Sequence, residues 1–116
     1  MMRRVRLEVA RSHEFPEGSN EHGYEMVLPL TPEGRLDREE WAKRRADAAI
    51  RRFWGAAESR GRLKHDRRGW SLDFVPGTAD DEVIFKGDEH RFVAGEYVSI
   101  KEQDGVTRTF RVAEVR

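Results

Sequence analysis

Hydrophobic and charged residues alternate near the start of the chain. Val5, Leu7 and Val9 fall on one side of an extended segment, and the residues between them are charged. A period of two is typical of a strand with one buried face. We therefore predict a strand over residues 4–10. A second strand is predicted over 24–28, after a polar loop, and the two strands form a hairpin.

The spacing of apolar residues changes in the next part of the chain. The apolar positions recur three and four residues apart, at Ala42, Ala46, Ala49, Ile50, Phe53 and Ala57. Asp37 stands before this stripe, with Glu40 three residues later, as in a capping box. Gly61 is the predicted stop. The pattern predicts one main helix, at about 37–60.

Two hairpins are predicted after the helix from the parity of their loops. The turn at 66–69 begins with Asp and ends with Gly, as a type I turn prefers, and places His65 opposite Trp70. The last hairpin needs a loop with an odd number of residues to keep Val98 on the same face as Phe110. A loop over 103–105 satisfies that condition, with Gly105 in the left-handed conformation.

The elements together predict the fold class. We expect a single α+β domain, 1–116, with an antiparallel sheet of six to seven short strands and one main helix. Short hairpin-linked strands leave two arrangements open, namely an open sheet and a sheet curled into a barrel.

Composition limits the chemistry. The chain has no cysteine, which excludes disulfides, thiolate metal sites and a Cys nucleophile. It has no apolar run long enough to span a membrane and no secretory signal pattern at its start, so we expect a cytoplasmic protein with no membrane partner. No motif indicates a cofactor.

Charge is unevenly distributed, although the formal net charge is zero. Residues 43–68 contain ten basic and three acidic side chains, and residues 70–105 contain nine acidic and three basic ones. The predicted function is therefore a non-enzymatic binding module, in which a basic helix face and the adjacent turn recognise an acidic protein segment, a nucleic acid or another polyanion. The predicted binding residues are Lys43, Arg44, Arg45, Arg51, Arg52, Arg67 and Arg68. The alternative is internal compensation by the acidic C-terminal half.

A small metal- or ligand-dependent enzyme is a second hypothesis. Its candidate metal ligands are His65, His90, Asp80 and Asp81, with Glu82 nearby, because imidazole and carboxylate groups bind transition metals. No two histidines stand at a ligand spacing, which counts against this site. A third hypothesis is a structural subunit that buries Trp41 and Trp54 at a homodimer interface. The sequence leaves both a monomer and a homodimer open.

Two resemblances accompany these patterns. The stretch Phe92-Val93-Ala94-Gly95-Glu96-Tyr97-Val98 is similar to the strand-turn-strand of the flavin-binding barrel in ferredoxin-reductase-like enzymes. That family continues with Arg-x-Tyr-Ser/Thr, and here Arg108 matches while Phe110 and Arg111 do not. This resemblance implies a barrel and a flavin contact at Arg108.

The whole chain also resembles a small family of uncharacterised bacterial proteins. The residues behind this resemblance include Arg52-Phe53-Trp54, Gly69-Trp70, Pro76-Gly77 and Gly95-Glu96-Tyr97. It implies no activity.

Overall fold

In the computed structural model, the described residues are 1–74, 89–116 and the backbone of 82–84. They contain eight strands, one α-helix and one 3-10 turn. The strands are β1 (Met2–Val9), β2 (Ser19–Pro29), β3 (Ala49–Trp54), β4 (Ala57–Asp66), β5 (Gly69–Phe74), β6 (Glu82–Ile84), β7 (Tyr97–Lys101) and β8 (Thr107–Val115). The helix is α1 (Arg38–Lys43), and the 3-10 turn is Arg45–Asp47.

The strands form a closed antiparallel barrel in which each strand pairs with its neighbours in sequence. Closure occurs between the first and last strands, where Leu7 faces Val112 and Val9 faces Phe110. Closure pairs the two outer strands of the sheet with each other, so neither presents a free edge. The antiparallel, sheet-rich fold is therefore confirmed, in its barrel form.

The predicted helix over 37–60 is wrong for most of its length. The helix begins after Asp37, whose side chain accepts a hydrogen bond from the Glu40 amide at 3.2 Å, and it ends at Lys43. Residues 49–54 instead form β3, which is hydrogen-bonded to β2 on one side and to β4 on the other. Two ladders of interstrand bonds outweigh the local helix propensity of this segment, and Ile50 and Phe53 also favour a strand.

The sequence-based hairpins agree with the structure. His65 pairs with Trp70 and Leu63 with Leu72 across the turn at 66–69. Val98 pairs with Phe110, and Gly105 has a φ of 83° in the connecting loop. Turn chemistry and face parity thus predicted register more reliably than apolar spacing predicted the helix.

The barrel interior is filled by side chains at alternate strand positions. Tyr24, Phe110 and Trp70 are among the largest fully buried ones. The rings of Tyr24 and Phe110 meet edge to face at 5.1 Å. The interior is therefore packed in this region, and the features available to a partner lie at the barrel ends and on its outer wall.

The two ends of the barrel differ. Strand directions alternate, so the connections at 10–18, 55–56 and 102–106 all lie at one end, which we call the mouth. The other end, the base, is covered by α1. Its Trp41 donates its indole N–H to the Leu63 carbonyl at 3.0 Å and packs edge to face on Trp70.

Among the described residues, no helix has the length and apolar character needed to cross a membrane.

Candidate functional site

The two adjacent arginines of β3 point to opposite sides of the barrel wall. Arg52 is in phase with the buried Ile50 and faces inward, where its Nε donates to Glu102 at 2.9 Å. Arg51 faces outward and contacts Glu25 at 3.0 Å. The predicted basic helix face therefore does not exist as one surface, because a strand alternates its side chains where a helix would cluster them.

A buried carboxylate organises the mouth. The Glu102 side chain is only 1% exposed. Its Oε2 accepts from the Tyr24 hydroxyl at 2.5 Å and from Arg52, while its Oε1 accepts from Arg108 Nη1 at 2.8 Å. A buried carboxylate is stable only with such partners, and here three donors supply them.

Arg108 connects this buried carboxylate to the surface. Its guanidinium donates from Nε and Nη2 to the two oxygens of Glu14, at 2.7 and 3.0 Å, and Nη2 also lies 3.0 Å from Asp104. These contacts, with that to Glu14 foremost, raise the pKa of Arg108. The same contact lowers the pKa of Glu14, and hydrogen bonds from Arg108 and the Val106 amide lower that of Asp104.

Aromatic rings lie beside the ion pairs. The Arg52 guanidinium lies over Trp54 at 4.2 Å, and the rings of Phe15 and His22 pack against the same indole. Trp54 is partly buried by these contacts, and Trp41 is 8% exposed within the barrel base. Both tryptophans thus have intramolecular packing partners.

The outer wall carries a groove of about 510 Å³, bordered by β1, β2, β3, β4 and β8. Six arginines and two glutamates line it, together with small apolar side chains. The arginines are Arg4, Arg6, Arg51, Arg60, Arg62 and Arg116. We call this feature the arginine groove.

One row across the arginine groove is electrically compensated. Arg6 contacts Glu8 at 2.8 Å and Glu25 at 2.6 Å, and Arg51 shares the Glu25 carboxylate. Farther along the row, Arg60 contacts Glu58 at 2.7 Å. Internal compensation therefore applies here, although Glu25 and Glu58 precede the acidic C-terminal half.

The neighbouring row lacks this compensation. Arg4 faces Val27 on β2 and is hydrogen-bonded through its backbone to Arg116, the residue after β8. On the other side, Ala49 faces Arg62 on β4. Within the described residues, neither Arg4 nor Arg62 forms a salt bridge, although Asp73 on β5 lies opposite Arg62. The row thus places two unpaired cations on either side of a floor made by Val27 and Ala49.

The remaining predicted basic residues lie at the base. Lys43 ends α1, Arg44 contacts Asp47 at 3.0 Å, and the Arg45 guanidinium lies over the Trp41 ring at 4.4 Å. Arg67 and Arg68 form the exposed β4–β5 turn, also at the base. This cluster is separate from the arginine groove.

The predicted metal ligands do not form a site in the described part of the chain. His65 is held between Trp41 and Trp70, with ring centroids 5.9 and 4.5 Å away. His90 is partly exposed after β6, while Asp80 and Asp81 lie outside the described residues, as does the Glu82 side chain. Among the described residues, no group of three potential ligands could hold a metal ion.

Sequence reasoning missed the residues of the mouth, although a signal for them exists. Three strands carry a charged residue in their inward phase where they reach the mouth: Arg52 follows Ile50, Glu102 follows Ile100, and Arg108 precedes Phe110. A charged residue in the buried phase of a strand requires a partner. Two inward arginines and one inward glutamate would have predicted an internal ion pair.

Comparison with protein-family models, curated proteins and solved structures finds no match to this chain. Arg108, the residue that the flavin-barrel resemblance assigns to a flavin contact, is paired here with Glu14, Glu102 and Asp104.

Proposed function

We propose that the protein is a non-enzymatic binding module that holds a short acidic protein segment in its arginine groove. The observation that carries this proposal is the pair Arg4 and Arg62, two exposed cations without salt bridges on opposite sides of the groove in the described chain. Neighbouring strands lie about 4.8 Å apart, so three strand steps separate their backbones by roughly 14 Å.

The groove has the dimensions of a binding site. Its volume of about 510 Å³ is in the range typical of ligand sites. Val27 and Ala49 are short, whereas the arginines around them are long, so the depression follows from side-chain length. An acidic side chain placed over this floor would lie within reach of guanidinium groups from both sides.

An acidic protein segment suits the groove better than a nucleic acid does. No aromatic side chain lines it in the described residues, and base stacking is the usual anchor for single strands. The formal net charge of the whole chain is zero, so a long polyanion would also meet many carboxylates. A short acidic segment could be confined to the row of the groove that contains Arg4 and Arg62.

The test is a fluorescence-anisotropy titration with a labelled peptide of ten glutamates at low and physiological salt. We expect binding that weakens with salt, because exposed ion pairs are screened. Combining Arg4→Gln with Arg62→Gln should weaken binding by roughly two- to thirty-fold, since each exposed pair contributes about 0.2–1 kcal/mol.

Two control variants make the result specific. Arg11→Gln removes an exposed charge from the β1–β2 loop, and Arg68→Gln removes one from the base. Neither should change affinity by more than about twofold. Loss of binding in Arg68→Gln alone would move the site to the base. Tighter binding of a single-stranded DNA of equal charge, or no binding of either probe at low salt, would contradict the proposal.

A further inference from the structure

The β1–β2 loop inserts two consecutive side chains into the mouth of the barrel. The Glu14 carboxylate is bound by both edge nitrogens of the Arg108 fork, at 2.7 and 3.0 Å. The next side chain, Phe15, packs on His22 with ring centroids 4.8 Å apart and on Trp54 at 5.6 Å. Glu14 and Phe15 thus occupy the mouth in the way that a ligand containing a carboxylate and an aromatic ring would occupy it.

The groups that receive this segment are held by other parts of the barrel. Arg108 is 10% exposed, and its Nη1 is anchored by the buried Glu102. Trp54 is held from one side by the Arg52 guanidinium. Because strands β2, β3 and β8 carry the receiving side chains, we expect their geometry to persist when the loop leaves.

The loop itself is held mainly by its own turn and by the contacts of Glu14 and Phe15. The amides of Ser12 and Gly18 both donate to the Phe15 carbonyl at 2.9 Å. The Glu14 side chain is 51% exposed, although it is bound by a nearly buried arginine. Water therefore has access to this ion pair, which makes it exchangeable.

Charge balance also favours exchange. Without Glu14, the two arginines of the mouth, Arg52 and Arg108, are matched by Glu102 and Asp104. Glu14 is the additional carboxylate, so it is not needed to neutralise a buried charge. Its departure would leave two edge nitrogens of Arg108 available to another carboxylate.

We propose that the mouth is a binding site for an aromatic carboxylate, and that Glu14 and Phe15 occupy it in cis. The ligand class is a carboxylate separated by a few bonds from a flat apolar ring, as found in small aromatic acids and in acidic-aromatic peptide segments. Arg108 would bind the carboxylate through two hydrogen bonds, and the aromatic ring would pack against Trp54 and His22. This site is separate from the arginine groove and does not depend on the function proposed for it.

The test compares the natural chain with a variant in which Glu14→Gln and Phe15→Ala empty the mouth. Acetyl-Glu-Phe-amide and 3-phenylpropionate are titrated separately while amide NMR follows Arg108, Thr109 and the Trp54 indole. We expect saturable shifts in the variant, with an apparent Kd at least about tenfold lower than in the natural chain, because an intramolecular competitor is removed. The relative affinities of the two probes distinguish a peptide from a small acid as ligand.

Acetyl-Gln-Phe-amide is the matched control, because it retains the ring and lacks the charge. Equal binding of this control, no saturable shift with either acid, or equal affinity in the natural chain and the variant would overturn the proposal. If the double variant does not fold, Glu14→Gln alone is used. In the natural chain, high concentrations of a binding acid should also shift the amides of residues 12–18, and unchanged loop amides during binding would equally overturn it.

Discussion

Arg52 and Glu102 lie fifty residues apart in the chain and form an ion pair inside the mouth, at 2.9 Å. Adjacent Arg51, by contrast, lies outside the barrel wall. The pair joins β3 to the segment after β7, which are not neighbours in the sheet. It therefore connects opposite parts of the barrel through side chains, where no interstrand hydrogen bonds run between them.

We predict that Glu102→Ala destabilises the protein by about 3–5 kcal/mol, because it removes the buried carboxylate that accepts hydrogen bonds from Arg52, Arg108 and Tyr24. Tyr24→Phe should cost only about 1 kcal/mol, since it removes one hydrogen bond and leaves both arginine contacts. Urea unfolding followed by tryptophan fluorescence measures both. A Glu102→Ala cost no larger than that of Tyr24→Phe would show that the carboxylate is not what holds the arginines.

The sequence predicted strands and registers where a short-range rule applied. Strict alternation identified β1, and a type I turn with the correct parity fixed the pairing of His65 with Trp70. The prediction was wrong for the segment that forms β3, because Ile50 and Phe53 fit a helical stripe and because part of its pairing is with β2, which is distant in sequence. Gly55, with a φ of 61°, was the missed signal, since a glycine in a helix interior costs about 1 kcal/mol.

The candidate sites could be predicted less well than the fold. Charge density selected Arg51 as a candidate binding residue, but it was assigned to a helix face, whereas the residue lies on β3. Its location beside Arg4 and Arg116 depends on barrel closure between β1 and β8, which no local pattern specifies. The contact of Glu14 with Arg108 likewise spans 94 positions. Such groupings are set by topology, so composition alone could not assemble them.

Gly23 and Gly61 are predicted to be intolerant of any side chain. A Cβ at Gly23 would lie 1.9 Å from the Leu7 carbonyl oxygen, and one at Gly61 would lie 2.2 Å from that of Asp73. Because backbone must move in both cases, we expect either alanine substitution to cost about 3 kcal/mol. Gly105→Ala is the control: its Cβ meets nothing within 4 Å, and only the positive φ opposes it, at about 1 kcal/mol. Equal thermal shifts for all three would refute the close-approach explanation.

Trp41 should be the main stabilising contact of α1 at the base. Trp41→Ala removes its packing on Trp70 and His65 and should cost about 3–5 kcal/mol. Trp41→Phe retains a ring but removes the donor to the Leu63 carbonyl, and should cost about 1–2 kcal/mol. Denaturant midpoints of the two variants provide the comparison. If Trp41→Phe were as destabilising as Trp41→Ala, the hydrogen bond rather than the packing would be the dominant contact.

Lowering the pH should weaken the ion pairs that Glu14 and Asp104 form with Arg108 in the mouth. Both carboxyls have their pKa lowered in the folded protein, first by hydrogen bonds from Arg108, from ordinary values of 4.5 and 3.8. A carboxyl whose pKa is lower in the folded state contributes its stability above its unfolded pKa, and the contribution is lost as pH falls through the folded value. We therefore expect Glu14→Gln and Asp104→Asn to reduce the free energy of unfolding at pH 7, and to reduce it progressively less as the pH falls below about 4.

Urea unfolding at pH 7 and pH 3 measures this change, with Glu33→Gln as a control for an exposed carboxyl without an ion-pair partner in the described residues. A loss that is the same at both pH values would show that the substitutions act by changing local packing, because only an ionic contribution disappears when the carboxyl is protonated.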